Sequence, residues 1–283
     1  PDTYGRRNWE TVAWRQIERD FNHPSIFSWV LFNESWGLVT GRDYLAETQD
    51  WVKSLYYRAK ETDPTRLVED NSPDQGRGWH VASDINSWHV YLPGYRWTEF
   101  MDNAVKNTFP GSPWNYIKPF AQNDIPMMNS ECGNVWGYKG GTGDVDISYE
   151  YHIMVNEFRK HPKICGFLFT EFHDVINEWN GYYRYDHSMK DFGLAELCPG
   201  MEVKHFHADV YPIPGNDFRM TVAPGDSFSV PLKISAMTRE VHSPLTVKFL
   251  LHGWNRFGEH AEYSRGQFAA QVRPWALTEL PPV

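Results

Sequence analysis

The sequence predicts an α/β domain built on a parallel sheet, followed near residue 200 by a smaller all-β domain. Three observations carry this. Short apolar runs alternate with amphipathic helical stretches from Asn8 to about Thr170, the texture of βαβ units. The apolar runs are nearly continuous, as strands buried on both faces require. After Gly200 the pattern changes to apolar–polar alternation broken by Pro224-Gly225-Asp226, the texture of antiparallel strands.

Each element can be placed in turn. Trp9, Val12, Ala13 and Ile17 share a helical face, which Asn22-His23-Pro24 ends. Residues 26–32 read as a buried strand. Asp43 is the expected cap of a helix with Tyr44, Thr48, Trp51, Val52, Leu55 and Ala59 on one stripe, stopped by Asp63-Pro64. Strands are expected at 66–69 and 84–88, a helix at about 97–107, a loop around Pro110-Gly111 and Pro113, and a strand at 125–130. A helix opening at Asp146 buries Tyr151, Met154, Val155 and Phe158, and a last strand covers 164–170. Beyond residue 200, alternation over 218–222, 228–234 and 245–251 predicts the strands of a sandwich.

Composition narrows the function. Aromatic residues make up 16% of the 283 residues, more than a core of this size needs, and aromatic faces suit the C–H faces of sugar rings. A net charge of −9 without a basic stripe argues against nucleic acid or an anionic membrane as partner. No apolar run is long enough to span a bilayer. Cys132, Cys165 and Cys198 form neither a disulfide framework nor a metal pattern, and His205 and His207 lack a third ligand nearby. Without GxSxG, P-loop or GxGxxG in context, no cofactor and no metal is expected.

Two glutamates stand where buried strands run into loops: Glu34 in Phe32-Asn33-Glu34 and Glu131 in Met128-Asn129-Ser130-Glu131. Carboxylates at the ends of two strands of one parallel barrel can face each other across its mouth. A facing pair about 5–5.5 Å apart is what a retaining glycosidase needs.

The local wording is specific. The run Arg19-Asp20-Phe21-Asn22-His23-Pro24-Ser25-Ile26, followed by Trp29 and Asn33-Glu34, closely resembles the acid/base signature of glycoside hydrolase family 2. Asp63-Pro64-Thr65-Arg66 resembles the segment before that family's next strand, and Ser130-Glu131-Cys132-Gly133 its nucleophile segment. The resemblance implies a (β/α)8 TIM barrel of which residues 1–200 supply strands four to eight, followed by an immunoglobulin-like sandwich over residues 201–283. The first three strands would then belong to a missing N-terminal part of the same protein, and this chain alone is expected to be poorly stable or inactive.

The resemblance also implies roles. Glu34 would be the general acid/base, Glu131 the nucleophile, and Asn33 a partner of the sugar 2-hydroxyl. His89 and Tyr91 fall near the nucleophile, and Trp136 could stack on the sugar or cover the nucleophile loop. At the eighth strand the sequence departs from the family, with Glu171 in place of a Trp that floors the sugar subsite. Glu171 either binds sugar hydroxyls or a cationic amino sugar, or pairs with an arginine such as Arg184. Asp174, Trp179 and Asn180 follow in a loop expected to overhang the site. Asn180-Gly181-Tyr182 stands where the family's glucuronidases carry Asn-x-Lys, which disfavours a glucuronide. The expected function is a retaining, exo-acting β-glycosidase for neutral β-linked sugars, β-galactosidase-like first. The alternatives are a glycosidase for another sugar, a non-catalytic carbohydrate-binding relative, or a homo-oligomeric assembly subunit with contacts through the sandwich.

Overall fold

The computed structural model describes residues 2–39, 41, 43–74, 79–133, 148–194, 198–215 and 218–283. They form two compact units, residues 1–145 with 163–190 and residues 146–162 with 191–283.

In the first unit, helix α1 (Thr3–Asp20) is capped by Asp2, whose carboxylate accepts the Gly5 amide at 2.7 Å, and it buries Trp14 and Ile17. Strand β1 (Ser28–Val30) pairs in parallel with β2 (Leu67–Glu69). Between them α2 (Ala46–Thr62) lays Val52, Leu55 and Ala59 into the same core. The helix begins at Ala46 rather than being capped by Asp43, and the Gln49 side chain donates to the Tyr44 carbonyl at its start. Strands β3 (Asn86–Tyr91), β4 (Met127–Gly133) and β5 (Ile164–Phe169) make a parallel sheet in that order, with α3 (Arg96–Asn107) following β3. Bridges Asn33↔Ser72 and Asp74↔His89 join the ends of β1, β2 and β3, so the five strands follow one another in chain order.

The Asp-Pro-Thr-Arg segment has a visible task. The buried Asp63 carboxylate accepts from Trp29 Nε1 (2.8 Å), Thr65 and Arg66 (2.7 Å). Arg66 also donates to the carbonyls of Phe21, His23 and Ile26. The motif therefore staples the loop before β1 to the turn before β2.

In the second unit, α4 (Ser148–Arg159) goes with residues 191–283. The reason is local: Arg159 donates to the carbonyls of Phe206 and Ala208, and Tyr151 packs edge-on against Phe206. The remaining strands form two antiparallel sheets. One orders β10 (Ala276–Leu280), β7 (Leu232–Ala236) and β6 (Val210–Pro214), and the other pairs β8 (Leu245–Trp254) with β9 (His260–Ala270). Ile234, Ala236, Ala270 and Val272 form their small shared core. The alternating segments 218–222 and 228–230 are not strands; Phe218 packs edge-on against Tyr149 and His152, but Met220, Val222 and Phe228 are exposed. His205 and His207 lie on a short 3-10 helix, not on one strand face: His205 accepts the Glu202 amide, and His207 bonds Tyr151. Among the described residues, no helix is long and apolar enough to cross a membrane.

Candidate active site

The carboxyl ends of β1 to β4 converge on a single hydrogen-bonded group. Beyond β1 the chain continues alongside β2: the Glu34 amide donates to the Ser72 carbonyl and the Ser72 amide to the Phe32 carbonyl, both at 2.8 Å. Glu34 and Ser35 then take left-handed backbone angles, φ of 50° and 62°. Such angles are costly for residues with side chains and persist only where neighbours fix them. Here Asn71 does so, accepting the Ser35 amide at 3.0 Å and donating to the Ser35 hydroxyl at 2.9 Å.

On the facing side, the β3–β4 register slips after Trp88, so that His89 pairs with Glu131 and Ser130 is skipped. Such a bulge re-aims side chains. Trp88 packs against Phe100 and Trp114, while His89 is directed at the glutamates.

His89 Nδ1 lies 2.9 Å from Glu34 Oε1 and 3.1 Å from Glu131 Oε2. The Tyr91 hydroxyl donates to Glu131 Oε1 at 2.8 Å. One oxygen from each glutamate and the histidine nitrogen lie within 4.8 Å of one another. The two carboxylates thus face each other across the imidazole. On the far side of the ring, Nε2 meets the Ser72 hydroxyl at 2.8 Å, and Ser72 meets Ser130 at 2.6 Å. The three clustered groups could in principle share a cation, but Nδ1 is already engaged by both carboxylates.

Burial pushes the Glu131 carboxyl up; His89 and the Tyr91 hydroxyl oppose this, and Glu34 and Glu178 add to it, leaving it raised. Burial and the neighbouring Glu131 carboxylate also push the Tyr91 phenol up, so it stays a donor.

The loop after β5 brings further acid. Burial, reinforced by Glu178, pushes Glu171 up to about 7. One of its oxygens is buried without a hydrogen-bond partner among the described residues. Arg184 is not its partner; that guanidinium donates to the Met189 carbonyl. Asp174 and Asn180, expected to overhang the site, are buried and serve the loop itself. Asp174 accepts from Lys190 Nζ at 2.7 Å and the Gly181 amide at 2.9 Å, and Asn180 donates to the Thr170 carbonyl at 2.8 Å. Gly181 is required here, since a Cβ would sit 2.4 Å from the His173 carbonyl carbon. Trp179 is 42% exposed and Asn33 is exposed, both open to a ligand. Trp136 lies outside the described residues. Sequence reasoning missed Ser72 and Glu178. Neither stands in a motif, and only the fold brings them to the glutamates.

Comparison with known proteins gives the family and the fold. The family model described as "Glycosyl hydrolases family 2, TIM barrel domain" matches residues 6–193. A β-glucuronidase of Canis lupus familiaris is 24% identical over 179 residues, covering 57% of this chain and 25% of that protein. One of Felis catus is 24% identical over 177 residues, covering 56% and 25%. The chain thus spans about a quarter of the length of these curated relatives. Among solved structures, an FMN-binding β-glucuronidase from Facaelibacterium prausnitzii L2-6 shares the fold at TM-score 0.52 and 16% identity, over 97% of this chain and 41% of that one. A Bacteroides uniformis β-glucuronidase does so at TM-score 0.51 and 19% identity, over 96% and 34%.

Proposed function

The chain belongs to glycoside hydrolase family 2, and from that premise we propose that it carries the catalytic centre of a retaining β-glycosidase, with Glu131 as nucleophile and Glu34 as general acid/base. The observation that carries the reading is the approach of the two carboxylates to within 4.8 Å across His89. An inverting pair stands about 6.5–9.5 Å apart to admit a water, whereas a retaining pair at about 5–5.5 Å does not.

In the first half-reaction Glu131 attacks the anomeric carbon while Glu34 gives its proton to the departing oxygen, leaving a glycosyl ester on Glu131. In the second, Glu34 takes a proton from water, which attacks the same carbon and frees Glu131. Tyr91 supports both halves, because its hydroxyl donates to the nucleophile at 2.8 Å and steadies the carboxylate as it departs. We assign the sugar's 2-hydroxyl to Asn33, which is exposed beside the acid.

For the sugar we propose a neutral β-linked residue cleaved from the non-reducing end. The relatives named above are β-glucuronidases, so a uronide is the competing substrate. A uronate carboxylate would meet Glu171 and Glu178 on the loop after β5, while Lys190 is paired with Asp174 and Arg184 with the Met189 carbonyl. A non-catalytic carbohydrate-binding role is disfavoured by the intact, hydrogen-bonded glutamate pair. The test is a panel of 4-nitrophenyl β-galactoside, β-glucoside, β-mannoside, β-glucosaminide and β-glucuronide on the full protein. Turnover of a neutral glycoside that Glu131→Gln lowers by at least about 10³-fold is expected. Retained activity in that variant removes the nucleophile assignment, and turnover of the glucuronide alone removes the neutral-sugar assignment.

A further inference from the structure

We propose that His89 is a positioning residue that stores the acid proton for Glu34, and that the Ser72–Ser130 hydroxyl pair permits this by holding the far side of its ring. The proposal rests on the reading of Glu34 and Glu131 given above.

The argument starts from donors and acceptors. A neutral imidazole has one N–H and a charged one has two. Nδ1 of His89 faces two carboxylate oxygens, at 2.9 and 3.1 Å, which accept when ionised. Nε2 faces the Ser72 hydroxyl at 2.8 Å, Ser72 faces Ser130 at 2.6 Å, and Ser130 can donate onward to the Trp88 carbonyl at 3.4 Å. With Ser130 donating to that carbonyl and Ser72 donating to Ser130, Ser72 is left to accept an N–H from Nε2. Both ring nitrogens then donate, and the imidazole is a buried cation between two carboxylates.

The acidic groups around it come from the neighbouring strands and the loop after β5. Glu34 follows β1, Glu69 lies buried on β2 and accepts from Ser87, and Glu131 is on β4. Glu178 acts on Glu131 from the loop after β5, and on His89's own strand the Tyr91 hydroxyl bonds Glu131. The buried His80 is tied to Asp70 at 2.7 Å.

The proton balance closes. Moving the Nδ1 proton across the 2.9 Å bond to Glu34 leaves a neutral ring whose remaining proton, on Nε2, is still accepted by Ser72. Glu34 becomes the neutral acid. In the same event Glu131 loses one donor and keeps that of Tyr91, which frees it to attack. Glu34 delivers the proton to the leaving oxygen, recovers one from water in the second half-reaction and returns it to His89.

The test uses leaving groups. Whichever glycoside the panel identifies is compared as its methyl and 2,4-dinitrophenyl derivatives, the first needing a full proton at the departing oxygen and the second almost none. His89→Asn is expected to lower kcat/KM on the methyl glycoside on the order of 10²-fold, and on the dinitrophenyl glycoside by less than about tenfold. An equal fall on both substrates, or no fall on either, overturns the proposal. Glu131→Gln run alongside separates the two levels: if it stays active, the reading of the site has failed rather than the role of His89. Should His89→Asn fail to fold, Ser72→Ala is read in the same comparison, with Ser72→Thr expected to restore the rate. Imidazole ¹⁵N shifts of the wild-type protein add a direct readout; two protonated ring nitrogens at neutral pH are expected, and a neutral ring overturns the proposal.

Discussion

Glu171 shows what the burial of a single carboxyl costs. Burial first and Glu178 second push its carboxyl from 4.5 up to about 7. Because the folded value is the higher one, the native state holds a proton that the unfolded chain releases, and stability falls as pH rises from about 4.5 to about 7. Glu171→Gln removes this dependence. The loss of melting temperature between pH 5 and pH 8 is expected to be smaller in the variant by about 2–4 °C, which corresponds to about 1 kcal/mol in a protein of this size once solvent screening of this partly exposed carboxyl is discounted. Equal losses in both proteins would show that Glu171 does not ionise in a buried setting. At this scale the sequence was readable where chemistry is written in runs. Glu34 stands out because its neighbours spell a long motif, and Glu131 because a short one follows it in the expected order and separation. Asp174 and Asn180 were read as ligand contacts from nearness along the chain alone, but their side chains turn inward, to Lys190 and the Thr170 carbonyl. A lone serine such as Ser72 has no period or spacing to mark it, although it touches His89.

Elements were legible where burial dictates composition. All five parallel strands are expected within a few residues of where they lie, because short apolar segments between helical stretches mark them. The β3–β4 bulge that sets His89 against Glu131 was not legible, since a one-residue slip leaves no mark in hydrophobicity. The alternation at 218–222 misled because period 2 records a tendency and not a partner strand. The Asp63 staple is the element-scale device that fixes the approach to β1. Burial alone would raise its carboxyl, but hydrogen bonds from Thr65, Trp29 and Arg66 hold it well below the usual carboxylate range. A depressed folded value means the contribution is complete above the ordinary value of 3.8 and is lost as pH falls below it. Asp63→Ala is expected to cost about 3 kcal/mol at pH 7 by urea unfolding, since it strands the Trp29 indole N–H and leaves Arg66 without its carboxylate. A loss below about 1 kcal/mol would mean that the staple is dispensable.

For the whole molecule, the parallel unit brings four strand ends to one place, and that convergence turns two ordinary glutamates into a facing pair. Glu34 rides on a left-handed turn held by Asn71, and Glu131 on a bulged strand held by Tyr91 and His89. Neither support makes sense for a solvated loop carboxylate. The central claim is that Glu131 forms a covalent bond to the sugar. It is tested most directly by incubating the full protein with the 2,4-dinitrophenyl 2-deoxy-2-fluoro-β-glycoside of its substrate, which slows release of the intermediate, and mapping the labelled peptide by mass spectrometry. The expected result is one sugar per chain, attached at Glu131; a label at any other residue, or turnover with no trapped adduct and inverted product, would contradict it.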